Sequence, residues 1–258
     1  MSNLQALIFD VDGTLADTER DGHRVAFNAA FDEFGLGWHW DVPTYGELLS
    51  VTGGKERMRH YYDHYAEAQD IADDFKQRLD ELIPQLHQAK TRHYTALLST
   101  GAIPLRPGVE RLLHEARERD LRLAIATTTT PENVTGLLAH TLGGESVDWF
   151  EVIAAGDIVA AKKPAPDIYH YTLQTMQLTA DACLAFEDSG NGIQSARGAG
   201  LTTVVTVNDY TTAHDFTGAA IVLDHLGEPD RPFTVLAGDA NGQHYLDCEL
   251  LHRLHRGG

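Results

Sequence analysis

Six short apolar runs, at residues 4–9, 121–126, 151–155, 183–186, 202–207 and 221–223, lack the polar alternation of a half-buried strand. Runs of this kind are strands hidden on both faces. Amphipathic stretches separate most of them, such as PGVERLLHEARERD after Arg106 and GNGIQSARGAG after Ser189. Strands alternating with helices specify an α/β fold, a parallel sheet with helices on both faces. Residues 18–100 break that rhythm, with no convincing strand and several helical stretches. One of these runs from Asp73 to Leu98, with a break expected near Pro84 because proline removes a helical N–H and crowds the preceding turn. The expected organisation is a core of residues 1–17 and 101–258, interrupted by an all-helical domain at 18–100. The linkers fall near Asp17–Glu19 and Thr100–Pro107.

In open α/β sheets ligands bind beyond the carboxyl ends of the strands, so the residue at each strand exit carries information. The first exit supplies Asp10 and Asp12, the second Thr127 and Thr128. Asp157 follows the third run, then Lys162 and Lys163; the fourth ends in Glu187 and Asp188. Carboxylates crowded at partly buried positions repel one another and persist only where a cation, proton or ligand relieves them. Asp10, Asp188 and the backbone carbonyl of Asp12 are hard oxygen donors of the kind that Mg²⁺ takes. Beside such an ion a carboxylate at position 10 can attack phosphorus and form an acyl phosphate. Asp12, two residues on, can protonate the leaving oxygen and later deprotonate water. Lys163 and the Thr127 hydroxyl can hold the equatorial oxygens.

These residues resemble the haloacid dehalogenase-like phosphotransferase superfamily over nearly the whole chain. DVDGTLADTE is similar to its first motif, Thr127 to its second, Lys163 in KKPAPDIY to its third, and EDSGNG to its fourth. The resemblance implies a Rossmann-like core with an inserted α-helical cap. It makes Asp10 the nucleophile, Asp12 the acid/base, Thr14 a positioning residue and Asp188 a metal ligand, with Glu187 supporting the Mg²⁺. Dehalogenase-type members lack the second aspartate, so Asp12 argues for phosphate chemistry. The stretches WDVPTYGELL, SVTGGKERMRHYY and ATTTTPENV further resemble CbbY-type sugar-bisphosphate phosphatases. That likeness implies xylulose 1,5-bisphosphate as substrate, with Glu19, Tyr45, Gly53, Gly54, Lys55 and Arg57 facing the sugar and Thr128 also binding it. Glycines let the backbone approach a ligand and Lys or Arg can bind a second phosphate. Lys90 and Arg92 are weaker candidates for the same work, and the position of His23 is shifted by one residue against relatives. The alternative is a β-phosphoglucomutase-type transfer between sugar hydroxyls. Mutases carry a V-S-R-E-D-like cap motif where this chain has VTGGKER, and a lysine where it has Thr130.

A net charge of −18 opposes nucleic acid or an anionic membrane surface as partner, since both demand excess Lys and Arg. The partner expected is a small sugar phosphate, and the chain is expected to act as a monomer. With Cys183 and Cys248 the only cysteines, no disulfide framework is implied. No run approaches transmembrane length and no signal-peptide layout opens the chain; the expected location is cytoplasmic. His60 and His64 have i,i+4 spacing without an evident third ligand and read as surface residues. The WHW at 38–40 reads as a packing corner, the acidic run at 70–75 as a solvated helix start. Residues from about 225 to 258 carry no motif that assigns them a role.

Overall fold

A computed structural model describes residues 3–51, 53–66 and 73–257. The acidic run at 70–75 therefore lies partly outside the described residues, as does Thr52. Strand β1 (Ala6–Phe9) is followed by helices α1 (Arg24–Glu33), α2 (Val42–Leu48), α3 (Gly54–Tyr61) and α4 (Asp73–Ser99). The chain continues through α5 (Val109–Glu118), β2 (Arg122–Ala126), α6 (Pro131–Leu142), β3 (Phe150–Ala154) and α7 (Asp167–Met176). Then come β4 (Cys183–Glu187), α8 (Gly190–Gly198), β5 (Thr202–Thr206), β6 (Ile221–Leu223), β7 (Val235–Gly238) and α9 (Cys248–Gly257). The chain divides into two compact units, Met1–Asp17 with Pro104–Gly258, and Thr18–Ile103.

The first unit is built on a seven-stranded sheet in the order β3-β2-β1-β4-β5-β6-β7, the strands counted among the described residues. β1 through β6 run parallel, as the apolar runs predict. Alternation along each strand sends Ala6 and Ile8 into one cluster with Ala124, Ala126 and Ala185, against Ile168, Tyr169 and Met176 of α7. Leu7 and Phe9 point to the other face, where the Phe9 ring stacks on Phe186 at 4.3 Å. The alanines on one face admit α7 closely; Phe9 and Phe186 pack with leucines and an isoleucine on the other. β7 corrects the expectation of an unassigned tail: it pairs antiparallel with β6. Its four residues are all exposed, so no buried run betrayed it.

The sheet's connectivity positions the site. The chain leaves β1 towards β2 and β3, then returns to the opposite side of β1 with β4. A crevice opens at such a reversal, outside the carboxyl ends of the two strands. Parallel registers set Phe9 beside both Ile125 and Phe186. Asp10 therefore lies level with Ala126 on one side and Glu187 on the other.

The second unit is helical, held by a knot of aromatic side chains: Phe27 and Phe31 of α1 against Trp38, Trp40 and Tyr45, with Tyr61 packed edge-on against Trp40. Both indoles are almost fully buried, each contributing about 2–3 kcal/mol. The side chain of Asn28 grips Trp40 by its backbone, donating to the carbonyl (2.9 Å) and accepting from the N–H (2.8 Å). The packing corner is thus a hydrogen-bonded one. α2 begins on Asp41, whose carboxylate accepts the Thr44 N–H at 2.8 Å, an N-cap that satisfies an otherwise unpaired donor.

The expected break at Pro84 does not occur: α4 runs through it without interruption. Leu79 and Ile83 before the proline, and Leu86, Ala89, Tyr94 and Leu98 after it, stay buried. Burial of that stripe offsets the ~3 kcal/mol that an internal proline costs. No helix among the described residues is long and apolar enough to cross a membrane.

Candidate active site

Four charged side chains and one tyrosine meet at the carboxyl ends of β1 and β4. Lys163, on the loop before α7, donates from Nζ to Asp10 Oδ1 and to Glu187 Oε1, both at 2.7 Å. Tyr169 donates its hydroxyl to the same Glu187 oxygen. Asp188, one residue beyond the strand, lies within reach of both carboxylates. Asp10, Glu187 and Asp188 each offer an oxygen, and these lie within 4.8 Å of one another. All four charged groups are buried.

The electrostatics follow from one cation facing three carboxylates. Burial pushes the Asp10 carboxyl up to about 7; Lys163 works against the rise and Glu187 with it. Burial, then the charges of Asp10 and Glu187, holds Asp188 well above the ordinary carboxylate range. For Lys163, burial opposes the ammonium, yet Asp10 and Glu187 outweigh it and raise its pKa. The site is short of positive charge. Glu187 Oε2 is buried with no hydrogen-bond partner. An orphaned carboxylate oxygen beside two further hard donors fits an oxygen-seeking divalent cation. Among the described residues this is the group of carboxylate, His and Cys side chains that could hold a metal. His60 and His64 stack on each other at 4.1 Å and belong to no such group.

Asp12 is half-buried in the loop after β1, close enough to raise the Asp10 pKa further. Gly13 follows with φ +83°, a left-handed conformation that favours glycine. A Cβ there would also overlap Asp188 Oδ2 and Asn208 Nδ2. Thr14 is buried, its hydroxyl without a partner. Thr127 is buried at the end of β2, its backbone N–H donating to Ala154 O at 2.9 Å, while Thr128 is half-buried. Neither Asp188 nor Thr127 is spent as a helix cap. Ser189 caps α8, accepting the Gly192 N–H, and Thr130 precedes α6.

Two residues near these groups escaped the sequence reading. Arg106 is a buried guanidinium that donates to the carbonyls of Gly13, Thr206, Val207 and Asp224 and faces Asp17 Oδ1 at 3.4 Å. A lone arginine before Pro107 has no sequence signature. Asn208, just past β5, donates to Asp188 Oδ2 at 2.7 Å. Its signal was present, because it occupies a fifth strand exit.

In the second unit Glu19, Tyr45 and Arg57 form their own cluster. Tyr45 is fully buried and donates its hydroxyl to Glu19 Oε2. Arg57 donates to that hydroxyl at 2.8 Å and to Leu48 O at 3.2 Å. Gly53 and Gly54 open α3, Gly53 with φ +99°, and Lys55 is exposed. Lys90 is buried, its ammonium 2.8 Å from His23 Nδ1. Arg92 is instead paired with Glu33 at 2.8 Å, largely exposed.

Residues 4–200 match the family described as haloacid dehalogenase-like hydrolase. The chain is 48% identical over 254 residues to the plasmid protein CbbY of Cupriavidus necator, covering 98% of each. It is similar to the crystal structure of CbbY from Rhodobacter sphaeroides in complex with phosphate, with 44% identity and TM-score 0.77. That match covers 86% of this chain and 94% of the other. A mutant of the same protein, solved with xylulose-(1,5)bisphosphate, matches at 43% identity, TM-score 0.77 and the same coverage.

Proposed function

Because the chain belongs to the haloacid dehalogenase-like hydrolases, we propose that it is a Mg²⁺-dependent phosphatase of a sugar bisphosphate, foremost xylulose 1,5-bisphosphate, acting through an aspartyl-phosphate on Asp10. The observation that carries this reading is the buried Asp10 held at 2.7 Å by Lys163 beside Glu187 and Asp188. The likeness to CbbY proteins supports the choice of substrate.

Asp10 Oδ attacks phosphorus while the sugar oxygen departs with its electron pair and takes a proton from Asp12. Water then attacks the same phosphorus, gives its proton to Asp12, and releases inorganic phosphate from Asp10. Splitting the reaction in this way exchanges one hard step for two easier ones. Monoester hydrolysis requires on the order of 20 kcal/mol of barrier lowering, beyond any single group. Lys163 holds the nucleophile in place and neutralises charge on the transferring group. The Thr127 hydroxyl donates to an equatorial oxygen, with Thr128 beside it and Thr14 ordering the first loop. Asp10, Asp188 and the Asp12 carbonyl would hold Mg²⁺, supported by Glu187. The bound ion supplies positive charge to the phosphoryl oxygens.

In the cap, Lys55, Arg57 and the backbone at Gly53 and Gly54 take the distal phosphate, and Glu19 the sugar hydroxyls. Tyr45, wholly buried, acts by holding Glu19 and Arg57. The test is a panel of sugar mono- and bisphosphates assayed for inorganic phosphate. Release from xylulose 1,5-bisphosphate ahead of the monophosphates is expected. Conversion of β-glucose 1-phosphate to glucose 6-phosphate without free phosphate would instead establish the mutase chemistry.

A further inference from the structure

Asp188 does not stand alone at its strand end. Its Oδ2 accepts from Asn208 Nδ2 at 2.7 Å. The amide cannot be turned round, because Asn208 Oδ1 accepts the Tyr210 N–H at 3.0 Å, which leaves Nδ2 as the end that faces the carboxylate. The turn itself is fixed at two further points. The Asn208 N–H donates to Thr211 Oγ1 at 3.0 Å, and Arg106 donates to the carbonyl of the preceding Val207. The only backbone that tolerates this approach is glycine: a Cβ at position 13 would collide with both Asp188 Oδ2 and Asn208 Nδ2.

A hydrogen bond to one oxygen of a carboxylate fixes its rotation, leaves the other oxygen for a ligand, and favours the ionised form. Among the described residues Asn208 alone does this for Asp188 without adding charge; Asp10 and Glu187 repel it. We propose that Asn208 is a positioning residue that orients Asp188 for a divalent cation. The proposal rests on the metal-binding part of the function above.

The test is a calorimetric titration of Mg²⁺ into the metal-free full-length chain, with no substrate present. Asn208→Ser keeps a short oxygen that can accept the Tyr210 N–H, as serine does in such turns, but cannot reach Asp188. The Mg²⁺ dissociation constant should rise about tenfold or more, with the melting temperature in EDTA unchanged. Turnover lost at limiting Mg²⁺ should return at saturating Mg²⁺. Asn208→Thr carries the same expectation and replaces the serine variant if that one does not fold. Thr211→Val loosens the turn while leaving the amide in place, and should lower stability while weakening Mg²⁺ affinity less than Asn208→Ser does. Wild-type affinity in Asn208→Ser, or an equal loss in Thr211→Val, overturns the proposal alone. A wild-type chain that binds no Mg²⁺ overturns it together with the metal dependence of the proposed function.

Discussion

Replacing Asp10 by asparagine should abolish turnover and, in metal-free protein, raise stability. The carboxyl has an ordinary value of 3.8 and titrates near 7 in the fold, chiefly because it is buried. A folded-state value above the unfolded one means that the folded protein binds more protons between those limits. Stability from this group is therefore greatest below about pH 4, declines as the pH rises to 7, and is level above that. A gap of about three pH units at ~1.4 kcal/mol each comes to about 4 kcal/mol at pH 8. Relaxation and water entry reduce the gain from the neutral isostere to about 2 kcal/mol. For a chain of this size that is roughly 4–8 °C in melting temperature. Thermal melts in EDTA at pH 4, 6 and 8 should show the asparagine variant's advantage growing with pH. Added Mg²⁺ should reverse the order, because the ion stabilises the chain that binds it better. Equal melting temperatures at pH 8 in EDTA, or an advantage that does not fade at pH 4, would show that Asp10 carries no burial penalty.

Three further outcomes are expected. Lys55→Ala should raise KM for a bisphosphate about tenfold while sparing a monophosphate, since an exposed ammonium that contacts phosphate contributes ~1–2 kcal/mol; parallel losses would refute its role. Arg106→Met should cost about 3–5 kcal/mol in urea unfolding, because buried carbonyls of Gly13, Val207 and Asp224 lose their donor; a cost under ~1 kcal/mol would contradict the geometry. His87 is held down to about 4, first by burial and then by Lys90 and Lys55. It stays neutral in the fold while the unfolded chain takes up protons below about 6.5, so stability should fall as the pH drops from 6.5 towards 4. His87→Gln should flatten that decline, as read from urea midpoints at pH 4.5 and 7.

The parts of the site that announce themselves in sequence are those tied to a strand exit. Asp10, Thr127, Glu187 and Asp188 follow apolar runs, and a parallel sheet brings all its carboxyl ends to one side. Lys163 also follows an apolar run, the third, but several residues beyond its end, so its motif rather than a place at the strand exit singles it out. Arg106 could not be read, because its acceptors are backbone carbonyls at residues 13, 206, 207 and 224, and a carbonyl has no letter. Pro84 misled because its local cost is legible, whereas the burial of Leu79, Ile83 and Leu86 on either side of it is a tertiary fact. β7 is apolar in sequence yet exposed in the fold: pairing with β6, not burial, makes it a strand.

The placement of β1 has a consequence for synthesis. β1 precedes in the chain both of its neighbours in the sheet, β2 and β4, and the second of these is complete only at Glu187. A nascent chain therefore carries this buried apolar strand with an unsatisfied edge until residue 187 has been made, a condition that invites mispairing. Asp10 emerges early from the ribosome yet meets Asp188 late. No fragment ending before residue 188 contains the reacting centre, however much of its first motif it holds.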